Sequence, residues 1–335
     1  MRWRVRSGAR HNTGVIRYAL LFVVACGGAK APPVVEPPPA PPPVPVRPEV
    51  PETPAVVARQ DFVVGESPMS LVAHRGTLYF TDSAGSVWSM PATGGEPTQL
   101  SDQKAPGFAF RLFVAGDVVF ATTKKDLLVI AGPDGPVKRA GIAGLVDNVE
   151  EAAGGGEFAY VTVFKRPEVM RVPVRGGAAR KIGTIARGVL GVYGETVYAA
   201  SYATGVLVAI EGEKTRTIAR GFVRPTAVAA DEDSVYVYSE RAQTVTRVGL
   251  GDGAKQVIAK GLVNSDDLLA DGAWLYAFTW GERPALLRIA KDGSGQRVIA
   301  DDLRSPYRIA VDGEAVYVTS RDQNTIVRLA KAALD

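Results

Sequence analysis

From about residue 55 onward, apolar and polar residues alternate in short runs, and Gly, Pro or Asp interrupts them every ten to fifteen residues. No stretch keeps apolar residues at i, i+3, i+4 and i+7 through three turns, so the pattern predicts strands and turns and no long helix. The clearest unit reads Ile309-Ala310-Val311, an Asp312-Gly313 turn, Ala315-Val316-Tyr317-Val318-Thr319, and then Thr325-Ile326-Val327-Arg328-Leu329. With Tyr317 as marker, the corresponding positions are Tyr79, Val119, Tyr160, Tyr198, Tyr236 and Tyr276, at successive spacings of 40, 41, 38, 38, 40 and 41 residues. A repeat of about 40–45 residues is the length of a four-stranded propeller blade, and seven copies predict seven blades.

Each unit supplies the parts of a blade in the same order. Short turns such as Arg75-Gly76, Asp231-Glu232-Asp233 and Asp271-Gly272 precede the marker strand and favour a tight hairpin. A third strand reads aliphatic, x, basic, aliphatic, as in Val169-Met170-Arg171-Val172 and Val245-Thr246-Arg247-Val248, where arginine stems cover apolar surface and leave the guanidinium wet. A fourth repeats as Thr217-Ile218-Ala219-Arg220, Val257-Ile258-Ala259-Lys260 and Val298-Ile299-Ala300-Asp301. The last unit lacks that fourth strand, whereas Ala55-Val56-Val57-Ala58-Arg59 matches it. The expected fold is therefore all-β: a seven-bladed β-propeller over residues 55–335, closed by an N-terminal strand that removes an open sheet edge.

The better copies resemble the NHL, YVTN and gluconolactonase-like propellers, through Pro225-Thr226-Ala227-Val228-Ala229-Ala230-Asp231 with Val235-Tyr236-Val237, and Pro306-Tyr307-Arg308-Ile309-Ala310-Val311-Asp312 with Val316-Tyr317-Val318. The shared motif is one of packing, so the resemblance implies architecture before activity. No Trp-Asp dipeptide occurs, so the WD-repeat class is not indicated.

Charge changes the picture only at the N-terminus. The net charge of +4 would suit a polyanion-binding protein, but residues 1–25 hold Arg2, Arg4, Arg6, Arg10 and Arg17 with no acid, and the remainder carries 34 basic against 35 acidic residues. A nucleic-acid partner is not expected. The arginines precede the apolar run Tyr18–Ala25, too short to span a membrane and suited to a signal peptide over residues 1–25. Val23-Val24-Ala25-Cys26-Gly27 resembles the lipobox of bacterial lipoproteins, which implies lipidation of Cys26, the chain's single cysteine. No aspartate follows Cys26, which under enteric sorting rules permits the outer membrane. Residues 26–54 then form a linker, with 12 of the chain's 23 prolines falling between Ala31 and Pro54. In extended polyproline-II form the 24 residues from Ala31 to Pro54 would span on the order of 70 Å.

Little catalytic chemistry is on offer. The two histidines are His11, in the signal, and His74, expected as an exposed turn residue, so a zinc site built on histidines and a thiol nucleophile are excluded from the propeller. Two loops leading into innermost strands are acidic: Asp147, Asn148, Glu150 and Glu151, and Asn264, Asp266 and Asp267. Nine residues before their markers, Glu151 and Asp267 hold equivalent places, where other units offer Ser70, Phe110, Val189, Ala227 and Arg308. Because gluconolactonase-like propellers hold a divalent metal such as calcium with acidic and amide groups, the resemblance implies Glu151, Asn148, Asn264 and Asp267 as ligands and an exported hydrolase as the alternative function. No quinone-cofactor fingerprint is present.

On the same face, loops between second and third strands carry Lys124, Lys125, Lys165, Arg166, Arg241, Arg283 and Arg321 among Phe164, Tyr202 and Trp280. Aromatic and guanidinium groups together suit a recognition surface, with Trp280, Arg283, Tyr202 and Arg308 as its expected contacts. The preferred expectation is a monomeric, lipid-anchored envelope lipoprotein that needs no cofactor, acts as a non-catalytic binding platform, and has an envelope protein, peptide or glycan as its partner.

Overall fold

Arg75 and Gly76 both adopt left-handed conformations, with φ of 49° and 73°, as a type I′ turn requires if its twist is to match the strands it joins. The hairpin so formed, Pro68–His74 against Thr77–Asp82, is the first half of a four-stranded antiparallel sheet. Seven such sheets follow one another in this computed structural model, which describes residues 59–102, 109–124, 126–143, 149–163 and 166–334. The expected signal peptide, Cys26 and the proline-rich linker lie outside the described residues.

Numbered in chain order, the blades contribute the innermost strands Pro68–His74, Leu112–Ala115, Val149–Gly155, Gly188–Tyr193, Pro225–Ala230, Leu268–Asp271 and Pro306–Val311. Each packs against the next, and the seventh against the first, so the ring closes around a central channel. The core lies between the blades, where the marker tyrosines of the second strands are each at most 5% exposed. Their hydroxyls need partners. The Tyr236 hydroxyl donates to Asp231 Oδ2 at 2.9 Å, that of Tyr317 to Asp312 Oδ2 at 2.8 Å, and that of Tyr160 to the Glu195 carbonyl at 3.0 Å.

Blade two departs from the expected marker. The Ser70, Arg111, Glu151 and Arg308 backbone N–H groups donate to Thr81, Thr122, Thr162 and Thr319 Oγ1. Each threonine stands two residues after its marker, which makes Phe120 the equivalent in blade two, not Val119. Val119 and Phe120 are adjacent and both 2% exposed, so hydrophobicity cannot choose between them; the hydroxyl two residues on does.

Closure by the N-terminal segment is observed, with a shifted register. The closing strand is Arg59–Val63, antiparallel to Thr325–Ala330. Val63 lies opposite Thr325, as Lys260 lies opposite Thr244 in blade five, while Arg59 lies opposite Leu329. The strand thus sits four residues further along than the Ala58-Arg59 match implied, and residues 55–58 are outside the described residues. An even shift keeps the same side chains facing the core, and this register gives the core Phe62 and Val64, which join a cluster with Leu71, Leu78 and Phe80.

On the face of the first hairpin turns, Lys291 of blade six reaches Asp231 of blade five at 2.8 Å, beside the Tyr236 hydroxyl. Burial pushes the Asp231 carboxyl up, but the hydrogen bonds from Lys291 and Tyr236 outweigh it and hold the group below the ordinary 3.8. A folded value below the unfolded one adds stability that is complete above the unfolded value and lost as the pH falls through the folded one. Asp231→Asn is expected to cost about 1–2 kcal/mol at pH 7, with the gap from wild type closing as urea denaturation is repeated at pH values below 3.8. A gap independent of pH would show that the carboxylate charge is not what joins the blades.

Candidate functional site

The threonine hydroxyls that mark the repeat also build the channel mouth. In blades one, three, five and seven the innermost strand starts with a register shift, between Pro68 and Ser70, Val149 and Ala152, Pro225 and Ala227, and Pro306 and Ile309. A bulge frees a backbone N–H and re-aims a side chain; in blades one, three and seven the threonine oxygen accepts that N–H and fixes the new direction. Arg308, Ser70 and Glu151 are brought in this way to one rim from blades seven, one and three, and Arg111 of blade two joins them there through the same threonine contact, without a register shift. In blades four and five the same places hold Val189, opposite Ala200, and Ala227, opposite Tyr238.

A hollow of about 380 Å³ opens where these four blades meet. Its wall is Met69 and Asp82 from blade one, Phe110, Arg111 and Lys124 from blade two, Glu150 and Glu151 from blade three, and Tyr307 and Arg308 from blade seven. Arg111 and Arg308 also line the central channel, about 320 Å³, which is otherwise walled mainly by small and aliphatic residues of all seven innermost strands.

Most charged groups here are already engaged. Glu151 pairs with Arg111 across the junction of blades two and three. Asp82 accepts from the Ser86 N–H and from Trp88 Nε1, both at 2.8 Å. Asp267 Oδ2 accepts the Ile309 N–H at 2.9 Å, joining blade six to blade seven, as Ser70 Oγ accepts the Leu112 N–H at 2.8 Å between blades one and two. Burial and the charge of Arg308 push the Arg111 guanidinium down to about 10, against the pull of Asp267 and Asp266, and it stays protonated at neutral pH. At the rim, desolvation raises the Asp266 carboxyl, with Arg308 opposing.

Of the four residues named for a metal, two are already engaged. Glu151 is committed to an arginine and Asp267 to a backbone N–H. Asn264 has the left-handed φ of a turn residue, 49°, and Asn148 lies outside the described residues. No group of three or more His, Cys, Asp or Glu close enough to hold a metal occurs among the described residues. Hard cations need several oxygens converging on one point, and at this mouth guanidinium groups occupy the neighbouring positions.

The expected ligand contacts separate. Arg308 lines the hollow, with its guanidinium 4.3 Å from the Tyr307 ring centre. Tyr202 stands apart, between Arg187 and Arg224 at 4.7 and 5.1 Å, and its hydroxyl accepts from Arg224 Nε. Arg283 is exposed. Trp280, named as a contact of the recognition surface, is half-buried against the core cluster of blades six and seven, with Nε1 buried and without a hydrogen-bond partner among the described residues. A wide apolar ring beside a solvated Gly281-Glu282 loop packs more surface by folding inward. His74 is likewise half-buried, ending the first innermost strand opposite Thr77 at the far end from Ser70. Lys125, Phe164, Lys165 and Asp147 lie outside the described residues.

Arg111 and Tyr307 are the site residues that sequence reasoning missed. With Val119 as marker the rim position fell on Phe110; the recurrent threonine of the second strand would have pointed to Arg111.

No protein-family model matches the chain, and no curated protein is similar to it in sequence. Its fold is similar to that of a catalytically inactive histidine-to-alanine variant of virginiamycin B lyase from Staphylococcus aureus, solved with quinupristin, at 14% identity and a TM-score of 0.64 over 81% of this chain and 98% of that one. It is also similar to U3-55K, at 11% identity and a TM-score of 0.65 over 81% of this chain and 98% of that one. YCF48 from Cyanidioschyzon merolae follows at 11% identity and a TM-score of 0.61, over 82% and 99%. At such identities the likeness is one of fold, and it agrees with the strand pairing: this chain is a seven-bladed β-propeller.

Proposed function

We propose that the protein is a lipid-anchored lipoprotein of the bacterial envelope whose propeller is a non-catalytic binding platform, with the mouth between blades seven, one, two and three as its binding face. The observation that carries this reading is how the mouth distributes its groups. Its acids Glu151, Asp82 and Asp267 are spent on an arginine and on N–H donors. What faces the hollow beyond them is Arg308, Lys124, Tyr307 and Phe110, with Glu150 exposed at the rim, an aromatic and guanidinium set that suits recognition. In the lyase of similar fold, replacing one histidine gives an inactive protein; here the propeller's one histidine, His74, stands at the opposite end of its strand from the mouth. Anchoring is supported by the arginine-rich start, the short apolar run and Val23-Val24-Ala25 before Cys26.

The test is made in a bacterial host on the full chain. Wild type is expected in the membrane fraction with incorporated fatty acid, and Cys26→Ser in the soluble fraction. A photo-crosslinking residue at Lys124 should capture a partner that the same residue at Arg75, on the opposite face, does not. Wild type that is soluble and unlabelled would end the anchoring idea, capture at Arg75 alone would end the choice of face, and a hydrolytic activity abolished by EDTA would favour an enzyme instead.

A further inference from the structure

The hollow at the mouth permits a more specific assignment, which rests on its being the binding face. We propose that it takes the free carboxylate of a peptide C-terminus ending in an apolar residue, and that Arg308 holds that carboxylate.

Arg308 is built as a receptor with donors left over. Its backbone N–H is tied to Thr319 at 2.9 Å, Nη1 donates to the Tyr307 carbonyl at 2.8 Å, and the guanidinium lies on the Tyr307 ring. These contacts fix its plane. Its Nε is buried and has no hydrogen-bond partner among the described residues. On the same ring, at 5.1 Å, lies Arg321, whose Nε is also buried and without such a partner. The Nε atoms are closed to solvent, so a ligand would meet the outer edge of the guanidinium, whose planar fork suits a carboxylate accepting two parallel hydrogen bonds.

Charge narrows the ligand. Arg308 and Arg111 flank Ser70 closely enough that the charge of one disfavours the charge of the other. Glu151 relieves that repulsion on the Arg111 side; Asp266 lies within the field of Arg308 without an ion pair to it, which leaves the guanidinium able to take an anion. Glu150 and Glu151 line the same space, so a phosphate dianion or a polyanion would be repelled where a monoanion is tolerated. The rest of the wall includes Met69, Ala109, Val149 and Phe110, the last 41% exposed, which offers an apolar contact to a terminal side chain. A volume of about 380 Å³ accommodates the last one or two residues of a peptide. A fatty acid shares the carboxylate and the apolar body; exposed Lys124 and Glu150 at the rim suit the amides of a peptide better than an alkyl chain.

Binding to the purified full chain is measured by calorimetry with three probes: the tripeptide Ala-Ala-Phe as free acid, the same peptide as its C-terminal amide, and hexanoate. The free acid should bind at least about ten-fold more tightly than the amide, the step expected for losing one charge-assisted pair. Hexanoate should bind more weakly than the free acid. Arg308→Gln should erase the difference between acid and amide. Arg308→Lys keeps the charge without the fork and should reduce that difference while its circular dichroism and melting stay native, which separates lost grip from lost fold. The assignment is wrong if the free acid does not bind at millimolar concentration, if acid and amide bind alike, if hexanoate binds as tightly as the peptide, or if folded Arg308→Gln still discriminates. A partner crosslinked through position 124 equally well in wild type and Arg308→Gln would leave the platform standing and refute the carboxylate site. Probe binding without any partner captured on that face would do the reverse.

Discussion

A propeller lacking residues 1–54 is expected to melt cooperatively, close to the full chain, whereas one lacking residues 1–64 should lose its cooperative transition or aggregate. The ten additional residues include the whole of Arg59–Val63, which pairs residue for residue with Thr325–Leu329. Phe62 and Val64 belong to the cluster between blades seven and one. Phe62 fits so closely over the last turn of blade one that a Cβ added at Gly94 would stand 2.9 Å from its ring. Val64 is 4% exposed and its N–H donates to the Asn324 carbonyl at 3.0 Å. Arg59 adds ion pairs to Asp61 and to Asp302 at the end of blade six. Two apolar side chains contribute about 1.5–3 kcal/mol each when fully buried, a large part of the roughly 5–15 kcal/mol that holds a whole domain. The larger cost is topological, since Thr325–Ala330 becomes an open edge able to pair with another molecule. Circular dichroism melting with size-exclusion chromatography distinguishes the cases, and equal midpoints for the two truncations would show that this strand does not close the ring.

The architecture was legible because a propeller repeats one packing problem seven times. An aromatic at the centre of each second strand fills the space between blades, so its spacing could be read without knowing which residues touch. The closing strand was legible as a missing piece, but its register was not: Val56-Val57-Ala58 and Asp61-Phe62-Val63 both read as a strand, and only the neighbouring cores of blades seven and one select Phe62. At the mouth, Arg308, Glu151 and Asp267 were found because each lies a constant distance before its marker. Arg111 was missed because Val119 and Phe120 are both apolar and the periodicity slipped by one. The inward fold of Trp280 was not legible for a different reason, since loop sequence reveals that a side chain is near the surface but not that it folds back onto the core. The pairing of Arg111 with Glu151 depends on two blades meeting, a relation that no local pattern carries.

Gly154→Ala is expected to cost about 3 kcal/mol or more, beyond the usual roughly 1–3 kcal/mol for overpacking a core, although it adds a single methyl group. The innermost strands of blades two and three approach each other so closely that a Cβ at Gly154 would lie 1.7 Å from the Val114 carbonyl oxygen and 2.8 Å from Ala115 Cα. Gly155 meets the next blade in the same way, with Val192 Cγ1 at 2.2 Å and the Gly194 carbonyl oxygen at 2.4 Å. These obstacles include backbone atoms of ring-forming strands, so no rotamer change relieves them and the blades must move apart. For a domain of this size each kcal/mol shifts the melting midpoint by about 2–4 °C, which places Gly154→Ala roughly 6–12 °C below wild type. Gly295→Ala, where a Cβ meets nothing within 4 Å, is the control and should change little. Gly194→Ala meets nothing either but carries a φ of +60°, so it should lose only about 1 kcal/mol of backbone preference. Because Arg111 and Glu151 stand at the start of the same two strands that Gly154 keeps together, separating the blades should also weaken the binding proposed for the mouth. Melting of Gly154→Ala within a degree or two of Gly295→Ala would mean that the ring can widen at this junction, and that close backbone approach is not what sets the shape of the channel.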